Sequence, residues 1–181
     1  IKNNPEDRCY LCKHRLFGRL RKEAASEGII HLLDGTNHDD TLEYRPGLRA
    51  LEQLDIKSPL KELGITKKEI RDFSRELGLI TWEKPAYACL LTRIPHNTRI
   101  EAGELSRIEQ AEKFLLDRGF KSVRVRSHGL VARIEIPSRG FEEFMQEENR
   151  LQVVRRLKEL GYSYVALDME GYKSKNIIFT V

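Results

Sequence analysis

Three cysteines carry the clearest chemistry in this chain. Two of them stand as Cys9-Tyr10-Leu11-Cys12, and Cys89 follows far downstream. Thiolates in such a pattern ligate zinc or an iron–sulfur cluster. Structural zinc takes four protein ligands, so a zinc reading has to recruit His14 or His31. Three thiolates instead suit a cluster with one iron left open. Two surface thiols and a core cysteine are the plain alternative. An odd number of cysteines cannot all pair within one chain, and a secreted disulfide framework would be denser. The pattern therefore predicts a reducing, cytoplasmic setting.

Two further groups could act on anions. Asp34-Gly35-Thr36-Asn37, followed by Asp39-Asp40, has the composition of a tight turn. Its carboxylates could hold magnesium, and its backbone a nucleotide; an ordinary loop has the same composition. Arg124, Arg126 and Arg133 fall on neighbouring strand positions, where clustered guanidiniums could take a phosphate in bidentate fashion. Arg93, four residues after Cys89, joins them if its loop folds back. A solvated sheet face is the usual explanation of such arginines. His128 reads as a turn residue, and Glu109 and Glu112 read as helix surface.

The elements that must position these residues follow from periodicity. A helix is expected over Leu11 to Ala25, stopped by Gly28. Ile29 to Leu33 is a short, continuously apolar run, as expected of a parallel strand covered on both faces. Its exit at Asp34 would then lie where α/β sheets bind ligands. A short helix should span Leu48 to Leu54, broken at Ser58-Pro59-Leu60. Thr66-Lys67-Lys68-Glu69 is a capping box for a helix ending near Leu77 and Gly78. Trp82 to Arg99 is loop-rich.

After Ile100 the pattern changes. Helix is expected from Gly103 to Asp117, then a hairpin of 122–126 and 130–136 turning at Ser127-His128-Gly129. A helix from Phe141 to Leu160 follows, with strands at 164–168 and 177–181. This second half reads as αββαββ, an antiparallel sheet with helices on one face. The first half is α/β but incomplete, since one short strand cannot make a sheet; its neighbours are expected in a missing N-terminal portion. The boundaries expected are 1–100 and 101–181.

Composition sets limits on partners. With 181 residues there is room for one domain or slightly more. No apolar run approaches the ~20 residues of a membrane span. No charged-then-apolar leader opens the sequence. The net charge of +4 permits an anionic small molecule and is too modest to demand nucleic acid.

Several segments occur together in one order: Asn4-Pro5-Glu6-Asp7-Arg8-Cys9-Tyr10-Leu11-Cys12-Lys13, Asp34-Gly35-Thr36-Asn37 with Asp39-Asp40, Tyr44-Arg45-Pro46-Gly47, Ser58-Pro59-Leu60, Lys84-Pro85-Ala86-Tyr87-Ala88-Cys89-Leu90, Arg124-Val125-Arg126 and Ala132-Arg133-Ile134-Glu135. In combination they resemble the LarE family of ATP-dependent sulfur transferases, which belongs to the wider group of PP-loop ATP pyrophosphatases. The resemblance covers nearly the whole chain.

That resemblance implies a function in making the nickel-pincer cofactor of lactate racemase. The implied substrate is a pyridinium mononucleotide bearing two carboxylates. ATP, with Mg2+, adenylylates a carboxylate, and sulfur then displaces AMP. Some members sacrifice the sulfur of one cysteine near the position of Cys89. Others hold a 4Fe-4S cluster on three cysteines, and Cys9, Cys12 and Cys89 match that type. The resemblance also implies ATP contacts at Gly35, Thr36, Asn37 and Asp40, and a substrate-phosphate site at Arg93, Arg124, Arg126 and Arg133. Implied partners are the mononucleotide, a sulfide donor and further copies of the chain in a homo-oligomer.

Two departures stand out. The family opens with a Ser-Gly-Gly-x-Asp-Ser phosphate loop that these residues lack, so the chain is expected to be the C-terminal part of a longer protein, inactive alone. Thr92, which keeps a hydroxyl, stands before Arg93 where the family often has serine, and His96-Asn97 replaces its usual aromatic-glycine pair after Ile94-Pro95. A tRNA-thiolase relative and a metal-binding module without activity are the competing expectations. The first would want a stronger basic surface and more stacking aromatics.

Overall fold

The computed structural model describes residues 1–84 and 88–173. The expected strand at 177–181 lies outside the described residues. The chain divides into two compact units. One consists of Ile1 and Pro5–Ala86, the other of Lys2–Asn4 and Tyr87–Val181. The division falls before Ile100 because the segment after Cys89 packs with the second half of the chain.

In the first unit, α1 (Arg8–Ser26) runs along α2 (Gly47–Gln53). The contact between them is close. A Cβ on Gly47 would stand 2.9 Å from Lys13 Cδ, and Arg49 lies over the Tyr10 ring at 4.1 Å. Helix α1 starts earlier than the apolar stripe indicates, so both Cys9 and Cys12 are helical. It ends at Gly28, whose φ of +76° suits a residue without a side chain. Ser58-Pro59 breaks the chain as expected but also starts a short helix, α3 (Pro59–Glu62), with proline at its first position. Helix α4 (Lys67–Glu76) carries the expected capping box. Glu69 N–H donates to Thr66 Oγ1, and Thr66 N–H donates to Glu69 Oε2 at 2.8 Å.

The strand expected at Ile29 to Leu33, with its neighbours expected outside these residues, has one partner segment among the described residues. Its pairing is one parallel bridge, Leu33 to Lys57, with Lys57 N donating to Leu32 O and Asp34 N to Lys57 O. Ile30 is 86% exposed and Leu33 63%. Backbone pairing on one side at one position gives neither a ladder nor cover for the apolar side chains.

In the second unit, α5 (Ala102–Asp117) precedes β1 (Arg124–His128) and β2 (Val131–Glu135), which pair antiparallel. Gly129, at φ +64°, makes the turn one residue later than expected. The chain then passes through α6 (Phe141–Met145) and α7 (Glu147–Glu159) into β3 (Tyr164–Leu167). The single helix expected over 141–160 is two, because Gln146 is extended at φ −53°, ψ 139°. Strand β3 pairs parallel to β2, so the sheet is mixed, in the order β1-β2-β3. A helical connection of this length returns the chain in the direction of β2, whereas a tight hairpin would have reversed it.

The core of this unit lies on one sheet face. Val125, Ala132 and Ile134 pack with Ala111 and Leu115 of α5, Phe144 of α6, and Val153 and Leu157 of α7. The helices thus lie on one face, as the sequence predicts, and the alternate residues Arg124, Arg126, Arg133 and Glu135 occupy the other.

Candidate functional site

Cys9 and Cys12 sit three apart on α1, on neighbouring turns of one helix face, and both thiols are exposed and free. The geometry suits two adjacent sulfur ligands. Cys89 is also exposed and free, in the second unit, just before a 3-10 turn at Leu90–Arg93. Neither unit alone gathers three His, Cys, Asp or Glu side chains as metal ligands among the described residues. Three unpaired, solvent-facing thiols remain a donor set that fits an iron–sulfur cluster, which requires thiolate sulfur.

The loop at Asp34 is internally bonded. Thr36 donates to Asp34 through its N–H at 3.2 Å and its hydroxyl at 2.6 Å, and Ser58 Oγ donates at 2.6 Å. Burial pushes the Asp34 carboxyl up, but the bonds from Ser58 and Thr36, with the charge of Lys13, outweigh it and hold the group below its usual range. Asn37 and Asp40 exchange backbone-to-side-chain bonds of 3.2 Å, and Asp40 pairs with Arg45 at 2.9 Å. Thr36 and Asn37 are buried. Open space surrounds the Cβ position of Gly35. The loop is thus held in shape by bonds among its own side chains and to Ser58.

The four arginines all belong to the second unit, in two different environments. Arg93 is buried at 2% exposure and held by Glu112 through Nε at 2.6 Å and Nη2 at 3.2 Å. Arg124, Arg126 and Arg133 surround Glu135. Arg126 bonds it through Nε and, at 3.3 Å, through Nη2; Arg133 Nη2 lies 3.5 Å away and Arg124 Nη1 4.0 Å. Arg133 also pairs with Asp168. Three guanidiniums therefore meet two carboxylates, leaving an excess positive charge on this face. Arg124 is further held by Lys173 O and stacks over Tyr172 at 4.3 Å. Arg126 and Arg133 reach solvent, and the buried Nε of Arg133 lacks a partner among the described residues. His128 lies on the same face. Burial, then the charges of Arg133 and Arg126, push its imidazole below its ordinary value, against a smaller opposing effect of Glu135.

Two residues escape the sequence reading. Glu112, read as helix surface, is buried. It accepts from Arg93 and, at 2.9 Å, from Val125 N–H. Its place beside Ile108, Ala111 and Leu115 on the apolar stripe of α5 was a usable signal. Asn4 is fully buried, with Nδ2 donating to Ile94 O at 3.0 Å and Pro95 O at 2.9 Å. Nothing in its polar surroundings along the chain points to that burial.

These features define an α/β protein that presents exposed thiols on both units and an arginine-rich sheet face on the second. No protein-family model matches the chain. It is 38% identical over 174 residues to the uncharacterized protein MJ0830 of Methanocaldococcus jannaschii, covering 96% of this chain and 67% of that one. The chain belongs to the family of that protein. It is also 42% identical over 171 residues to the uncharacterized protein slr1717 of Synechocystis sp., covering 94% of this chain and 64% of the relative. A third relative, 37% identical over 174 residues, is the pyridinium-3,5-bisthiocarboxylic acid mononucleotide synthase of Lactiplantibacillus plantarum, with 96% of this chain and 62% of the synthase covered. The chain thus spans 62–67% of the length of these relatives. No helix among the described residues is long and apolar enough to cross a membrane.

Proposed function

We propose that this chain is part of an ATP-dependent sulfur transferase that thiolates a pyridinium biscarboxylate mononucleotide for nickel-pincer cofactor synthesis. The observation that carries the reading is the 37% identity, over 96% of the chain, to a synthase named for the bisthiocarboxylic acid mononucleotide. The three free, exposed thiols and the excess positive charge at Arg126 and Arg133 support it.

In this reading a substrate carboxylate attacks the α-phosphorus of ATP, pyrophosphate leaves, and sulfide then displaces AMP to give the thiocarboxylate. Gly35, Thr36, Asn37 and Asp40 contribute to ATP binding, with Mg2+ accompanying the phosphates. Arg124, Arg126 and Arg133 take the substrate phosphate, and Arg93, buried against Glu112, orders the Thr92 segment to which Arg126 donates. Cys9, Cys12 and Cys89 would hold a 4Fe-4S cluster, which supplies an iron position free of protein thiolate for sulfide. Holding a cluster requires Cys89 to meet the Cys9–Cys12 pair, within one chain or between copies in an oligomer.

The test is anaerobic reconstitution of the full-length protein with iron and sulfide, followed by assay with ATP, sulfide and the mononucleotide. The expected result is about four irons per site, pyrophosphate release and a thiolated product. Loss of iron in Cys9→Ser, Cys12→Ser and Cys89→Ser should accompany loss of product. Product formed by an iron-free Cys9→Ser/Cys12→Ser variant would overturn the cluster and leave sacrifice of the Cys89 sulfur as the route. No product from the wild-type protein would overturn the substrate.

A further inference from the structure

The backbone at Cys89 is tied to the core by a continuous run of bonds. Cys89 O accepts from Thr92 N at 2.9 Å and from Thr92 Oγ1 at 2.7 Å. Thr92 Oγ1 accepts in turn from Arg93 Nη1 at 2.7 Å. Arg93 is clamped by Glu112, and Glu112 accepts from Val125 N–H at the edge of the sheet. From the other side, Arg126 Nη1 donates to Thr92 O at 2.9 Å, and Asn4 Nδ2 holds Ile94 O. Cys89 itself is exposed.

A thiol on an exposed segment reacts in one geometry only if its backbone is held by rigid elements. Here the rigid elements are α5 and β1, and Glu112 is the side chain that joins both to the Cys89 turn. We infer that Glu112 is a positioning residue: through Arg93 and Thr92 it fixes the backbone that presents the Cys89 thiol. Its functional meaning rests on the sulfur-transfer reading above, but the inference is structural and stands or falls separately. A carboxylate suits the role because its two oxygens accept from the Arg93 fork while one of them also takes the Val125 amide.

The test uses the 181-residue chain without substrate. Amide hydrogen exchange and iodoacetamide alkylation, both read by peptide mass, are compared in Glu112→Gln, Thr92→Val and Thr92→Ser. Glu112→Gln keeps the shape and removes the charge. Thr92→Val keeps the bulk and removes the hydroxyl link. Both should speed exchange in the 90–94 segment by about ten-fold or more, since a charge-assisted or linking bond is lost there. In Thr92→Val, which leaves the Arg93–Glu112 pair intact, exchange at Val153 and Leu157 in α7 should stay within about two-fold of wild type. The alkylation rate of Cys89 should change at least about three-fold in both variants, with Cys9 and Cys12 unchanged. Thr92→Ser, which keeps the hydroxyl, should restore wild-type behaviour. Unchanged exchange at 90–94, or acceleration in Thr92→Val that is uniform through the unit, would overturn the inference. If Glu112→Gln does not fold, the contrast between Thr92→Val and Thr92→Ser decides it. Failure of thiolation in the full-length protein would leave these readouts untouched, so the two proposals fail independently.

Discussion

Arg93 and Glu112 form a buried, two-pronged ion pair, with Nε to Oε1 at 2.6 Å and Nη2 to Oε2 at 3.2 Å, both side chains under 10% exposed. Removing one partner strands a charge away from water. Arg93→Ala should cost ~3–5 kcal/mol of stability, because the remaining carboxylate is desolvated and half-paired. The double variant Arg93→Ala/Glu112→Ala should lose less than the sum of the single losses. Urea unfolding of the three variants checks this; additive losses would mean that the pair is not coupled.

Asp34 gives the first unit a pH dependence of known sign. Its folded pKa lies below the ordinary value of 3.8, so the unfolded chain takes up its proton first as the solution is acidified. The contribution is fully present above the unfolded pKa and is lost as pH falls through the folded one. Asp34→Asn should therefore flatten the acid limb of stability below about pH 4 while neutral-pH stability falls by ~1–3 kcal/mol, the cost of weakened bonds to Ser58 and Thr36. Thermal unfolding from pH 2 to 7 measures both, and an acid limb as steep as in wild type would refute the assignment.

Thr66 and Glu69 each satisfy a backbone donor of the other at the start of α4. Thr66→Ala should destabilise by ~1 kcal/mol, and Thr66→Ser by much less. Chemical denaturation followed by helix signal distinguishes them. Equal losses would assign the effect to the methyl group.

His128 offers a probe of the arginine face. Arg133 and Arg126 help to hold its imidazole below the ordinary value. An anion bound by those guanidiniums would offset their field, so the His128 pKa should rise on adding a nucleoside monophosphate. Titration of its ring protons by NMR, with and without the ligand, reads the shift directly. Arg126→Glu should raise the pKa without ligand and reduce the response to ligand. A His128 pKa indifferent to saturating monophosphate would place the phosphate elsewhere.

Local features were legible in the residues alone. The capping box at Thr66, the stop at Gly28, helix α5 and the face alternation of Arg124, Val125 and Arg126 all depend on neighbours within a few positions, where stereochemistry leaves few choices. The exposed cysteine pair follows from the same short range. Other outcomes needed the folded chain. The parallel entry of β3 depends on where the α6–α7 connection sets it down, and the split between α6 and α7 depends on Gln146 being extended. The apolar run at Ile29 to Leu33 has strand composition, yet a strand is made by partners, and Lys57 offers one bridge. The arginines show the division most clearly. Sequence spacing put Arg124, Arg126 and Arg133 on one face. The same alternation puts Glu135 among them. Only tertiary packing decided that Arg93 would turn inward to Glu112, because a charge leaves water only where a partner from another segment is already waiting.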